Sequence, residues 1–202
     1  MQYIKYLDYP KLPDNIEKNI LDTVEKFIDC EYTKDRFVTD NTGTTSFNEE
    51  TNLGISMEES RNYFSNLAQF QFIQLNQPVK DWLANNIGPG LTAHIQVISA
   101  GNHVPPHIDE REVRTTALNY LLTTGGNVST TFYRVGAQYT HLTAMPRTLI
   151  PLERLEVIET TIIPAHTWHS LSVSNIHGVK NIDISLKRIA LSINLHPIEF
   201  GF

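Results

Sequence analysis

The chain changes character at residues 88–99, which read Gly-Pro-Gly-Leu-Thr-Ala-His-Ile-Gln-Val-Ile-Ser. The Gly-Pro-Gly triplet ends a helical pattern, and the residues after it alternate and are rich in β-branched side chains, as is typical of a strand. Further short segments of this kind follow, bounded by Gly, Asn or Pro: 115–123, 128–133, 156–163, 169–174 and 188–195. Six short strands separated by turns predict a sandwich or barrel.

The residues before this point have helical patterns. Asp14 and Glu17 have the spacing of a capping box, and apolar residues then recur at helical period, which predicts a helix from about residue 14 to 29. A second helix is predicted to begin at Ser56, and a third to run from Pro78 to the Gly-Pro-Gly triplet.

These patterns predict the α+β class, mainly β, with one domain over residues 1–202. A mainly helical N-terminal layer, residues 1–90, is expected to pack against a β-core, residues 91–202. Residues 70–75 carry a mixed pattern that does not decide between helix and strand.

Composition and charge exclude several functional classes. The formal net charge is −6, from 16 basic and 22 acidic residues, so we expect no nucleic-acid partner. No apolar run is long enough for a membrane span, and the first residues lack the apolar core of a signal peptide. The single cysteine, Cys30, fits a reducing compartment. We expect a cytoplasmic protein without a membrane partner, whose metal ligands are histidines and carboxylates.

The first candidate metal ligands lie in residues 101–109, Gly-Asn-His-Val-Pro-Pro-His-Ile-Asp. In an extended segment residues i and i+2 point to the same side, so His107 and Asp109 can offer an imidazole and a carboxylate to one ion. Taken alone, the pair also fits an ordinary surface turn.

A second imidazole follows a Pro turn, in residues 164–174, Pro-Ala-His-Thr-Trp-His-Ser-Leu-Ser-Val-Ser. Alternation places His169, Leu171 and Val173 on one strand face. His169 would suit a ligand at a barrel mouth, or a histidine that only donates to a nearby carbonyl group.

The third candidate is on residues 188–195, Arg-Ile-Ala-Leu-Ser-Ile-Asn-Leu. One face is apolar, and Arg188 shares the other face with Ala190, Ser192 and Asn194. If this face lines a cavity, the guanidinium group of Arg188 can bind a carboxylate through two hydrogen bonds. If it faces water, Arg188 is an ordinary surface charge.

Together these motifs resemble the Fe(II)- and 2-oxoglutarate-dependent oxygenases over residues 91–196. The chain is also similar to the wider cupin pattern, with Gly101 six residues before His107 and Pro164 five before His169. Within the oxygenases it is most similar to the aspartyl/asparaginyl hydroxylase-like and phage or marine-bacterial members, through residues 106–109, 117–120 and 168–170. The resemblance implies a double-stranded β-helix (jelly-roll) core.

The resemblance also implies the site. His107, Asp109 and His169 would bind Fe(II), a ligand set that favours non-haem iron and leaves three positions open for the cosubstrate 2-oxoglutarate and O2. Arg188 would bind the far carboxylate of 2-oxoglutarate, and the substrate would be hydroxylated with release of succinate and CO2. His177, eleven residues before Arg188, is the alternative distal ligand. His169 is the preferred distal ligand because it begins a strand after a Pro turn, whereas His177 is predicted to lie in a loop flanked by Gly and Asn.

Weaker candidates complete the set of predicted site residues. Asn119, Tyr120 and Tyr133 would flank the cavity and hydrogen-bond the cosubstrate, unless they only pack in the β-core. By the same resemblance Arg114 would bind a carboxylate or phosphate group of a protein, peptide or small-molecule substrate, unless it is an ordinary solvated arginine of a loop. By resemblance, a homodimer would pair through the N-terminal helices, with Trp82 at its surface.

Two other functions fit the same sequence. A cupin-like metalloenzyme would use the same ligands without 2-oxoglutarate, and would need no carboxylate-binding arginine at position 188. A non-enzymatic jelly-roll module, with a binding or structural role, would not bring the three ligands together.

Overall fold

The computed structural model describes residues 2–28, 51–55, 70–109, 115–145, 148–180 and 183–194. In this part of the chain there are two α-helices, α1 (Asp14–Ile28) and α2 (Gln77–Asn86). The strands are β1 (Ile4–Tyr6), β2 (Phe70–Gln74), β3 (Thr92–Ile98), β4 (Val104–His107), β5 (Thr116–Thr124), β6 (Ser129–Val135), β7 (Leu155–Ile162), β8 (Thr167–Ser172), β9 (His177–Lys180) and β10 (Arg188–Asn194). None of the described helices is long and apolar enough to cross a membrane.

The strands form two antiparallel sheets. The larger sheet has the order β1-β8-β5-β10-β3-β2, and the smaller one has the order β4-β9-β6-β7. From β3 to β6 and from β8 to β10, successive strands alternate between the sheets. The molecule is therefore mainly β, with two helices in the described residues.

One face of the larger sheet packs against both helices. Side chains at alternate positions of its strands, such as Leu118 and Leu191, join one buried cluster with Ile20 of α1 and Leu83 of α2. The period of apolar residues in α1 explains this contact, since its buried residues recur every four positions. We call this face of the larger sheet the helix side.

The opposite face of the larger sheet looks toward the smaller sheet. Ala117 and Leu121 of β5, Leu171 of β8 and Ala190 of β10 pack in a second cluster with Phe132 of the smaller sheet. We call this the inner face. Alternation then assigns the inner face to the residues that lie two positions from these along each strand.

A polar contact joins α1 to the helix side of the larger sheet. The Tyr120 hydroxyl donates to Glu17 Oε1 over 2.7 Å, and His166 Nδ1 lies 2.9 Å from the same oxygen. Next to it, Trp168 Nε1 donates to the carbonyl oxygen of Pro10. The turn before β8 includes His166 at a φ of 55°, in the left-handed region that few residues other than glycine adopt.

The structure confirms both described helices and the six predicted strands, with ends that differ by at most two residues. The mixed segment is strand β2. Besides the two helices, the described residues before residue 90 include β1 and β2, which form the two edges of the larger sheet. The helix predicted from Ser56 lies outside the described residues.

Candidate metal centre and inner polar pocket

Two histidines and one aspartate come together at one end of the smaller sheet. One ligand atom from each of His107, Asp109 and His177 lies within 4.8 Å of the others. His107 Nε2 is 3.4 Å from Asp109 Oδ1, and the two imidazole centroids are 4.5 Å apart. The side chains of His107 and Asp109 keep 13% and 16% of their surface exposed, so the group can be reached from solvent.

Hydrogen bonds orient both imidazoles of this group. His107 Nδ1 lies 2.9 Å from the carbonyl oxygen of Pro105, and His177 Nδ1 lies 2.9 Å from that of Asn175. A carbonyl oxygen only accepts, so in each ring Nδ1 is the donor and Nε2 carries the lone pair. This is the usual support of a metal-binding histidine.

The donor set fits a divalent metal ion. In an octahedral site with bonds of about 2.1 Å, adjacent ligand atoms are about 3 Å apart. The ligand atoms of His107, Asp109 and His177 lie within 4.8 Å of one another, so small side-chain movements would bring them to the spacing of an octahedral site. Two imidazoles and one carboxylate are the set that favours non-haem Fe(II) and leaves three positions open.

The backbone of β4 and β9 brings these ligands together. Pro105 and Pro106 have no N–H group, and they lie on an edge strand, where a missing donor is tolerated. The strands approach so closely that a Cβ atom on Gly178 would lie 2.8 Å from the carbonyl oxygen of Val104. Glycine next to His177 therefore allows the pairing of His177 with His107.

The preference for His169 as the distal ligand is corrected by this placement. His169 lies on β8 in the larger sheet, fully buried, opposite Asn119 of β5. It belongs to the inner face with Leu171, and it is not part of the group formed by His107 and Asp109. His177 begins strand β9, and the flanking Gly does not place it in a loop.

Arg188 is buried, with 6% of its surface exposed, at the start of β10. It lies on the inner face by alternation with Ala190. Burial lowers the pKa of its guanidinium group to about 10. Among the described residues no carboxylate forms an ion pair with it. Arg188 is therefore not an ordinary surface charge, the alternative that the sequence left open. A buried cation without an anionic partner is unfavourable, so we expect an anion to bind here.

His169, Asn119 and Arg188 share the inner face of the larger sheet, and we call them the inner polar group. His169 Nε2 and Asn119 Oδ1 are buried without a hydrogen-bond partner. Burial, and then the positive charge of Arg188, lowers the pKa of His169 to about 4, so its imidazole is neutral at physiological pH. Buried polar atoms left unpaired are rare, and they indicate a place for a polar ligand or water.

The remaining predicted site residues lie elsewhere. Tyr120 is on the helix side, where it donates to Glu17, so its assignment to the cavity is wrong. Tyr133 packs in a separate cluster with Ile108 and Ile176, not with Phe132, although its buried hydroxyl has no partner.

Arg114 lies outside the described residues. Trp82 is half-buried, packs against the core on the helix side and stacks with Trp168; the homodimer stays a prediction.

The signal that identified His177 was present in the sequence. It precedes Arg188 by eleven residues and is followed by a glycine, which permits close strand contact. The local pattern favours His169, and the structure confirms that His169 lies on a strand, β8. This local pattern does not indicate to which of the two sheets the strand belongs.

Comparisons with known proteins give structural likenesses only. No family model matches the chain, and no curated protein matches it. A prolyl-4-hydroxylase from Pseudomonas putida is similar at a TM-score of 0.44 and 14% identity, over 96% of this chain and 92% of that one. The nickel complex of the non-heme monooxygenase ThoJ is similar at 0.41 and 12%, over 95% and 72%.

A third similar structure is an oxalate oxidase in complex with the substrate analogue glycolate. Its TM-score is 0.35 and its identity 15%, over 65% of this chain and 52% of that one, so the chain spans about half of its length. All three TM-scores are below 0.5, so these likenesses do not decide the function of this chain.

Proposed function

We propose that the protein is a non-haem Fe(II)- and 2-oxoglutarate-dependent oxygenase that hydroxylates a protein, peptide or small-molecule substrate. The observation that carries the proposal is the convergence of His107, Asp109 and His177. In both histidines Nδ1 is held by a carbonyl oxygen, so Nε2 is the nitrogen available to a metal ion.

Arg188 supports 2-oxoglutarate as the cosubstrate. Its guanidinium group is buried and has no carboxylate partner among the described residues, so its charge is available to an incoming carboxylate. The planar group can hold both oxygens of that carboxylate. The other end of the same 2-oxo acid, with its keto and carboxylate oxygens, would occupy two of the three open positions at the metal.

Each residue has a distinct role in this proposal. Bound Fe(II) would supply the activation of O2, coupled to decarboxylation of 2-oxoglutarate to succinate and CO2. His107, Asp109 and His177 hold the metal ion, and the hydrogen bonds to Pro105 and Asn175 keep their imidazoles in the ligating orientation. Arg188 binds and orients the cosubstrate.

We also propose that the two sheets form a double-stranded β-helix, a jelly roll. The alternation of β3 to β6 and of β8 to β10 between the two sheets supports it. A further backbone contact joins the sheets at the end that carries the metal group, since the Asp109 N–H donates to the carbonyl oxygen of Val173, just after β8.

The test needs no substrate. Fe(II) and then 2-oxoglutarate are added to the purified protein without oxygen, and the visible metal-to-ligand charge-transfer band of the chelate is recorded. We expect the band in the wild type and its loss in Asp109→Ala, which removes a metal ligand. In Arg188→Ala we expect Fe(II) binding to persist and 2-oxoglutarate affinity to fall by at least about 100-fold.

The matched control for Arg188 is Arg134→Ala. Arg134 is an exposed arginine of β6 that pairs with Glu156, so its loss should leave the band unchanged. Fe(II) binding without a band would favour a cupin-like metalloenzyme that does not use 2-oxoglutarate. Failure to bind any metal would favour a non-enzymatic jelly-roll module.

A further inference from the structure

We infer that the outer edge of β7 (Leu155–Ile162) is a dimerisation surface, at which β7 pairs antiparallel with β7 of a second copy of this chain about a two-fold axis at Thr160. The pairing does not use the metal group, so it goes beyond the proposed function and is independent of it. It also uses a different surface from the N-terminal helices that the family resemblance implies. Two four-stranded sheets would thereby form one continuous sheet.

β7 is the longest edge strand in the described part of the chain. The two sheets end in β1, β2, β4 and β7, and no described strand pairs with the outer side of β7. β7 has eight residues, whereas the other three edge strands have three, five and four. β4 carries Pro105 and Pro106, which disfavour further pairing, but β7 contains neither proline nor lysine. An edge of this kind is a template for another strand.

Large apolar side chains are exposed along this strand. Val157, Ile158 and Ile162 keep 60%, 43% and 55% of their surface exposed. β7 pairs regularly with β6 from Glu159 to Ile162, and a bulge at Ile158 follows. Alternation places Ile158, Thr160 and Ile162 on one side of the strand, and all three are exposed. The strand therefore offers both a free edge and apolar side chains beside it.

The sequence of β7 is self-complementary in one register. When two identical antiparallel strands extend one sheet about a two-fold axis, one residue lies on the axis and faces its own copy. With Thr160 on the axis, Ile158 faces Ile162 of the second copy, once on each side of the axis. With Glu159 on the axis, two carboxylates would face each other, which is unfavourable.

The charged residue of this segment also finds a suitable neighbour when Thr160 lies on the axis. Glu159 then faces Thr161 of the second copy. Within one chain the Thr161 hydroxyl already donates to Glu159 Oε1 over 3.1 Å, so the same two groups are compatible across the axis. No like charges oppose one another from residue 158 to residue 162. Pairing of both exposed isoleucines and separation of the carboxylates favour the same register and a second copy as the partner.

The first experiment measures association of the full chain by sedimentation velocity. One pair of short strands buries less than the roughly 1,200 Å² of a stable interface, so we expect reversible dimers at about 100 μM and monomers at about 1 μM. Ile162→Lys places a charge at the paired edge and should weaken association by at least about 10-fold. The matched control is Ile184→Lys, since Ile184 is 89% exposed in the turn before β10, and it should associate as the wild type does.

A wild type that stays monomeric at about 500 μM would overturn the inference, because association would then be weaker than any specific contact of this size. Equal association of Ile162→Lys and Ile184→Lys would overturn it as well. Both variants change exposed side chains, so at low concentration both should keep the wild-type melting temperature.

The second experiment tests the register by disulfide formation in a Cys30→Ser background, which lacks the single native cysteine. In Thr160→Cys the two copies of residue 160 face each other, with Cα atoms about 5 Å apart, which suits a disulfide bond. In Ile162→Cys the two copies are offset by four residues, about 13 Å, and should not form one. A covalent dimer of Thr160→Cys alone is expected after mild oxidation. A dimer of Ile162→Cys alone, or of neither variant, would overturn the inference.

Discussion

Three histidines of this chain make the same local contact. His107, His169 and His177 each place Nδ1 next to the carbonyl oxygen two residues earlier, so each presents Nε2 away from its own backbone. The contact therefore does not distinguish a metal ligand from a buried acceptor. The surroundings of the three imidazoles distinguish these roles. His107 and His177 lie near the carboxylate of Asp109, whereas the positive charge of Arg188 acts on His169.

At the residue scale, the two candidate distal ligands give opposite predictions. His177→Ala should weaken Fe(II) binding by more than about 100-fold, because it removes one of three ligands. His169→Ala should keep wild-type Fe(II) affinity. Anaerobic Fe(II) titration of both variants is the check, and loss of iron in His169→Ala with retention in His177→Ala would reverse the assignment.

His169 also predicts how stability depends on pH. Its pKa in the folded state is about 4, below the usual 6.5, so the unfolded chain binds the proton more readily. The folded state consequently loses stability as pH falls from about 6.5 toward 4, and gains nothing further above this window.

Between pH 7.5 and 5 this one group should cost the wild type about 2 kcal/mol of unfolding free energy. His169→Gln lacks the titrating group, so its loss over the same interval should be smaller by that amount. Denaturant unfolding of both proteins at the two pH values is the measurement. Identical losses would show that His169 has an ordinary pKa in the folded protein.

At the scale of elements, the metal group depends on how closely two strands approach. Gly178 lies next to His177, and an added Cβ would meet the Val104 carbonyl oxygen at 2.8 Å and the Pro106 nitrogen at 3.3 Å. These are backbone atoms, so they cannot move aside as a flexible side chain would. β9 would have to move away from β4, and His177 would move with it.

We therefore expect Gly178→Ala to lower the unfolding free energy by about 2 kcal/mol and to weaken Fe(II) binding by about 10-fold or more. The control is Gly88→Ala, where an added Cβ meets no atom within 4 Å. That control should stay within about 0.5 kcal/mol of wild type. Wild-type metal affinity in Gly178→Ala would show that the strand spacing is not critical.

At the scale of the whole molecule, the metal ligands come from β4, the residues after it, and β9. These segments are separated along the chain by four strands and meet only in the folded state. A metal ion bound by all three residues therefore binds the folded state and not the unfolded chain. Such a ligand stabilises the protein by mass action.

Fe(II) at 100 times its Kd should stabilise the wild type by about 2.7 kcal/mol, which for a chain of this size raises Tm by about 5 °C or more. Asp109→Ala should show no such rise. Thermal unfolding without oxygen, with and without Fe(II), is the measurement. A similar rise in both proteins would mean that iron binds elsewhere.

The sequence by itself determined the local features of this protein. The helices around Asp14 and Pro78, six of the strands, the His107–Asp109 pair and the alternation that directs Arg188 away from the apolar face all follow from residue spacing. These features depend on backbone geometry within a few residues, and side-chain periods of 2 and 3.6 are written directly in the chain.

Only the tertiary structure decided which sheet each strand joins. That choice placed β1 and β2 at the edges of the larger sheet, turned Tyr120 toward α1, and put His177 rather than His169 beside Asp109. Both histidines have suitable local patterns, so no short-range signal separates them. Strand pairing between distant residues distinguishes the two histidines. This pairing is determined by packing of the whole core and by the close contact between strands that Gly178 permits.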